Sequence, residues 1–247
     1  FGDLRYQVEL GPRPAGSDTL RELAGWLADR LPRGRLEPLP GGLQNVVGRL
    51  PGRGRRPILV AAHYDTKDIP GFVGANDAAG GTAAVLEIAR ALKRVGPKRR
   101  PEVRFVLFDG EESPDDSQDF YTTGLRGSRP YAREHATELR AVVLLDFVAE
   151  KGAMRIPREA GSDRALWRRM RAAARRVGAA RTFPDRTTGE ILDDHTPFAR
   201  RGVPAIDLID FTFDCWHETC DDMDVVSPRS LDLAGETVVE MLLDWNR

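Results

Sequence analysis

The chain has 247 residues, 41% of them apolar and 30% charged, with a net charge of -1. That length suits one α/β domain with a substantial core, so we expect a single domain over residues 1–247. The near-zero net charge gives no general pull toward nucleic acid or anionic membrane, and no apolar run approaches the ~20 residues that cross a bilayer.

In chain order, Ser17-Asp18 caps an amphipathic helix predicted to run to Leu31. Residues 32–42, rich in Pro and Gly, read as a loop. Val46-Val47 and Ile58–Ala62 are short β-branched runs and predict strands, the second ending at His63. Gly80-Gly81 opens a helix in which Ala84, Val85, Ile88, Ala89 and Leu92 recur at helical spacing. Further strands are predicted at Val103–Phe108, Ala141–Leu145 and Ala205–Ile209, and helices at Leu166–Val177 and from Ser227 to Trp245. The Arg runs at 168–169 and 175–176 read as solvated helix faces balanced by acids, which argues against nucleic acid as a partner. Alternating strands and helices imply an α/β three-layer sandwich, with a mostly parallel sheet covered on both faces.

Open α/β sheets place ligands at the carboxyl ends of their strands, and here those ends carry metal-ligand chemistry. They deliver His63 and Asp65, then Glu111 and Glu112, then Asp146, and finally the segment leading to Trp216-His217. Asp77 precedes the glycine-rich helix start, and Asp193-Asp194-His195 precedes a short helical segment. Three of the four histidines fall in these places; His135 lies in a charged helical stretch and reads as surface. Any one of these acids alone would be a cap or a turn residue. Their coincidence at four strand ends points to zinc, which takes a mixed His and carboxylate set with one position open. Cys215 and Cys220 bracket Trp216-His217; a reduced pair and a short disulfide both fit, whereas two thiols alone do not complete a zinc shell.

The segments GPRPAGS (11–17), AAHYDTK (61–67), GAND (74–77), FDGEE (108–112), GSRPYA (127–132), LLDF (144–147), DDHTPF (193–198), RGVPA (201–205) and WHET (216–219) resemble the superfamily that joins bacterial zinc aminopeptidases with glutaminyl cyclases. They stand in the family order and cover nearly the whole chain. The resemblance implies a zinc held by Asp77, Glu112 and His217, with Glu111 as general acid and base. In the aminopeptidase branch His63 and Asp146 would hold a second zinc, bridged by Asp77. In the cyclase branch there is one zinc, and Asp146 and Asp193 join Glu111 in an acid network. Asp193 before Asp194-His195, the long loop from Glu112 to Gly127, residues 72–75 and Trp216-His217 match the cyclases. Asn76 before Asp77 matches the aminopeptidases, Ala78 departs from them, and Asp207 replaces a cyclase His. A loop Trp of the cyclases is missing, with Phe120 or Tyr121 as substitutes; together with Trp216 these are the expected substrate contacts.

The implied partner is a peptide or protein N-terminus, cyclised at glutamine or trimmed by hydrolysis, depending on the branch. A non-catalytic binding domain on the same fold is the third reading, and the full set of ligand positions argues against it. Family habit, and nothing in these residues, implies a secreted or extracytoplasmic location; the start at Phe1 rather than Met is compatible with a trimmed form.

Overall fold

The structure, a computed structural model, describes residues 1–245. Its strands are β1 (Arg35–Pro38), β2 (Gln44–Leu50), β3 (Arg53–His63), β4 (Pro101–Phe108), β5 (Ala141–Leu145) and β6 (Ala205–Leu208). The helices are α1 (Gly2–Glu9), α2 (Asp18–Arg30), α3 (Ala79–Lys93), α4 (Phe120–Thr123), α5 (Ser128–His135), α6 (Arg164–Arg176), α7 (Thr196–Ala199) and α8 (Pro228–Leu243). No helix among the described residues is long and apolar enough to cross a membrane.

The strands form one sheet in the order β1-β2-β4-β3-β5-β6. The four strands β4, β3, β5 and β6 run parallel, and β2 is antiparallel to both β1 and β4. Period-two alternation sends successive side chains to opposite faces. Ile58, Val60 and Ala62 therefore pack with α1, α2, α3, α6 and α8, while Leu59 and Ala61 pack with Tyr131 and Phe198 of α5 and α7. Phe105 and Val143 fall on the first face, and Val106 and Val142 on the second. Burial on both faces explains why these strands read as continuous apolar runs, and the three layers are those expected.

Among the differences from the sequence reading, the helix α1 was not foreseen and two strand boundaries lie elsewhere than expected. Residues 35–38, expected as loop, form the edge strand β1, paired through Arg35↔Val47 and Leu36↔Val46. An edge strand needs hydrogen bonds on one side only and tolerates Pro; its exposed Arg-Leu-Glu-Pro has no apolar face to announce it. The strand expected from Ile58 begins instead at Arg53, with a register shift before Ile58. Ser17 caps α2 by accepting from the Leu20 amide (3.1 Å), as the sequence indicated.

At the end of β4, Asp109 Oδ2 accepts from the Gln44 amide (2.9 Å). Burial, followed by the charge of Asp65, pushes its carboxyl up to about 7. A carboxyl raised in the folded state stabilises the fold fully below its unfolded pKa of about 4, and that contribution is lost as pH rises through the folded value. Asp109→Asn keeps the amide contact and removes the titration. Its melting temperature is expected to exceed wild type by a few degrees at about pH 8 and to converge with it near pH 4. Parallel melting curves across that range would remove Asp109 as the cause.

Candidate metal centre

The site lies where β3, β4, β5 and β6 end. His63 is the last residue of β3, the turn after β4 carries Glu111 and Glu112, and Asp146 follows β5. Asp77 sits in the turn before α3, and the loop after β6 brings in His217. These elements bring together two overlapping triads, His63/Asp77/Asp146 and Asp77/Glu112/His217, each with one donor atom per residue within 4.8 Å of the others. His63 Nε2 lies 3.2 Å from Asp77 Oδ1 and 3.2 Å from Asp146 Oδ1. His217 Nε2 lies 3.1 Å from Glu112 Oε1 and 3.8 Å from Asp77 Oδ2.

Several side chains exist to aim these ligands. Asp65 accepts from the amides of Glu111 and Glu112 (3.2 Å each), which fixes the turn after β4. Asp221 accepts from the amides of Asn76 (2.8 Å) and Asp77 (3.0 Å). Asn76 Oδ1 accepts from the Ala149 amide (2.8 Å), tying that turn to the end of β5. The fully buried Arg13 donates to the carbonyls of Val73 (2.6 Å) and Gly74 (3.1 Å) from the other side. Sequence reasoning named Asp65 without a role and missed Asp221 entirely. No residue pattern around Asp221 distinguishes it from the acids beside it, and its function appears only when 145 residues of chain close up.

The electrostatics fit a divalent cation. Burial pushes the carboxyls of Glu111 and Asp146 well above their ordinary range, and neighbouring acids add to it: Glu112, Asp193 and Asp194 for Glu111, Asp193 and Asp77 for Asp146. Glu112 is raised by burial and then by Asp77. Burial alone would lower the His217 imidazole, but its hydrogen bond to Glu112 and the charges of Glu112 and Asp77 raise it. Asp77 Oδ2 is buried with no hydrogen-bond partner. Crowded, desolvated carboxylates with an orphaned oxygen at their centre are what a bound cation relieves, and two imidazoles among them suit zinc.

A cavity of about 530 Å³ opens over the ligands, walled by Phe120, Phe147, Ile191, Ile209, Phe211 and Trp216, with Glu111 and Asp193 facing it. Trp216 and Phe211 stand at the rim, 44% and 46% exposed, with ring centroids 4.9 Å apart. Phe120 lines this space as expected, but Tyr121 does not: its ring packs beneath the Arg200 guanidinium at 3.8 Å. On the short helix α4 the next residue points another way, and a cation over the ring holds it there. Phe147, Phe211 and Ile191 were not foreseen, because isolated apolar residues in loops carry no periodic signal. His195, grouped with the strand-end residues in the sequence, is buried behind the cavity beside Glu159 (Nε2 to Oε1, 3.3 Å). His135, read as surface, is half-buried, its ring 4.5 Å from that of Tyr131.

Cys215 and Cys220 form a disulfide, which closes the loop that holds His217 in the left-handed region at φ 56°. That conformation is costly for a residue with a side chain. Reduction, or Cys215→Ser with Cys220→Ser, is expected to weaken zinc retention about tenfold by loosening this loop. Competition with a chromogenic chelator, with and without reductant, measures it, and an unchanged affinity would show that the loop holds its shape without the bond.

Fold and site define the class: an α/β protein of zinc-exopeptidase architecture with a candidate metal centre at the carboxyl edge of its sheet. The chain belongs to peptidase family M28, whose profile matches residues 45–242. A mouse (Mus musculus) glutaminyl-peptide cyclotransferase-like protein is 32% identical over 82% of this chain, and the chain spans 61% of that relative's length. The crystal structure of an Acidobacteriales bacterium glutaminyl cyclase superposes with a TM-score of 0.85 at 28% identity, covering 100% of this chain and 94% of that one. A leucine aminopeptidase precursor from Bacteroides thetaiotaomicron shares the fold, with a TM-score of 0.88 at 23% identity over 98% of this chain and 94% of that one.

Proposed function

We propose that this chain is a glutaminyl-peptide cyclotransferase that converts N-terminal glutamine to pyroglutamate and releases ammonia, using one zinc held by Asp77, Glu112 and His217. The observation that carries the reading is Asp193, a third buried acid within Coulomb reach of both Glu111 and Asp146. Similarity to glutaminyl cyclases in sequence and structure supports it. Three carboxyls so placed titrate as one group, and a proton held among them serves a reaction that moves one proton within the substrate and consumes no water.

Zinc held by Asp77, Glu112 and His217 would supply a Lewis acid for the side-chain carbonyl oxygen and stabilise the charge that develops there. Glu111 takes a proton from the α-amine as its nitrogen bonds to the side-chain carbonyl carbon. The same carboxyl returns that proton to the departing amide nitrogen, so the C–N bond to ammonia breaks and the ring remains. Asp193 lies within Coulomb reach of both Glu111 and Asp146 and favours a proton on them, and His63, 3.2 Å from Asp146, anchors the far side of the network. Phe120, Phe147 and Trp216 provide an apolar wall for the glutamine methylenes and keep water from the carbonyl.

A second reading, a di-zinc aminopeptidase, is favoured by one observation: His63, Asp77 and Asp146 also form a complete triad. In it Glu111 would deprotonate a water rather than an amine. Zinc content separates the readings. Protein purified without chelator and re-equilibrated with modest zinc should hold one zinc per chain as a cyclase and two as an aminopeptidase, and none would leave only a binding domain. The Cys215–Cys220 disulfide supports an extracytoplasmic, oxidising location for the chain.

A further inference from the structure

We propose that the face opposite the metal centre is a docking surface for anionic phospholipid, which holds the enzyme with its catalytic cavity turned away from the membrane. Seven exposed cations collect there: Arg53, Arg55 and Arg56 at the start of β3, Lys93 and Arg94 at the end of α3, and Lys98 and Arg99 in the turn before β4. None of them pairs with a carboxylate among the described residues, whereas Arg49, Arg90 and Arg176 nearby do. Four of the seven, Arg53, Arg94, Lys98 and Arg99, line a cavity of about 360 Å³ whose remaining walls are Val95, Gly96 and Leu243, with no acid.

The local fold does not account for this concentration. Cations at the end of α3 complement the helix dipole, which explains Lys93 and Arg94 but not the three arginines brought in by β3. In a chain of net charge -1, the segregation leaves a strong local field at one end of the molecule. On α6, Arg171 and Arg176 pair with Asp185, Glu240 and Asp244, whereas Arg164, Arg168 and Arg175 are exposed without a carboxylate partner among the described residues and serve as the control for unpaired charge alone.

Phospholipid is the occupant that the shape favours. Guanidinium forks match phosphate oxygens, and the cavity is of headgroup size with an apolar floor. The start of β3 adjoins the turn at 97–99, the Arg53 amide donating to the Arg100 carbonyl (2.9 Å), so the cations gather around one recess rather than along a groove that tracks a strand. No aromatic side chain lies among them on which a base would stack. β3 is eleven residues long and ends at His63, so roughly 30 Å of strand separates the patch from the metal centre. A membrane held at the arginine end leaves the mouth of the cavity open to peptides in solution.

Co-sedimentation of the intact chain with vesicles tests this. Binding is expected to phosphatidylcholine vesicles containing about one-third phosphatidylglycerol, not to phosphatidylcholine alone, and to be released by raised salt. The variant R53Q/R55Q/R56Q/K98Q/R99Q should bind at least about tenfold more weakly while its turnover of a soluble peptide stays at the wild-type level, which also reports that it folds. R164Q/R168Q/R175Q, on α6, should bind as wild type does. Absence of vesicle binding, equal loss in the α6 variant, or capture by heparin or DNA but not by vesicles at the same ionic strength would each overturn the proposal.

Discussion

Glu111→Gln is expected to lower kcat about a thousandfold while zinc content and the fold stay as they are. The Glu111 side chain lies outside both metal triads yet faces the cavity above them. Its backbone is fixed through the amide that Asp65 accepts, a contact the substitution leaves in place. Glutamine keeps the shape and removes the one property the reaction needs, an oxygen that takes and returns a proton. KM should change little, since the carboxyl acts in the two proton transfers rather than in holding the bound peptide. Steady-state kinetics with metal analysis of the same sample checks this, and turnover within a few fold of wild type would remove Glu111 from its role.

The second large effect is expected at Asp77, the one carboxylate common to both triads. Asp77→Asn should weaken zinc binding at least about a hundredfold and abolish activity at modest zinc. Stability should respond with a definite sign. Without metal, Asp77 adds to the repulsion felt by Glu112, Asp146 and Asp221, so the metal-free variant should melt no lower than metal-free wild type. Added zinc should raise the wild-type melting temperature, because a ligand that binds only the folded state stabilises it, and leave the variant unmoved. A variant that melts far below metal-free wild type would mean that Asp77 is mainly structural.

The sheet was legible because burial on both faces makes β5 and the C-terminal halves of β3 and β4 apolar, and the candidate ligands because His and acid residues stop each run at the same end. His63, Asp77, Glu112, Asp146 and His217 come together in space as that placement required. β1 was not legible, since an edge strand of exposed polar residues has no periodicity. The supports were not legible either: Asp221 and Arg13 act through backbone amides and carbonyls far away in the chain. The aromatic wall was half seen. Trp216 and Phe120 stood beside recognisable segments, whereas Phe147 and Phe211 enter through the ends of β5 and β6, where a ring reads equally well as core. Tyr121 shows the limit in the other direction, because a neighbouring residue of the right kind can be turned away by a single cation, here Arg200.

One assay bears most directly on the central claim: mass spectrometry of a glutamine-initiated peptide incubated with the zinc-loaded chain. The account predicts a product lighter by one ammonia, formed by wild type and not by Glu111→Gln. A product shorter by its whole N-terminal residue would contradict it and assign the site to peptide hydrolysis.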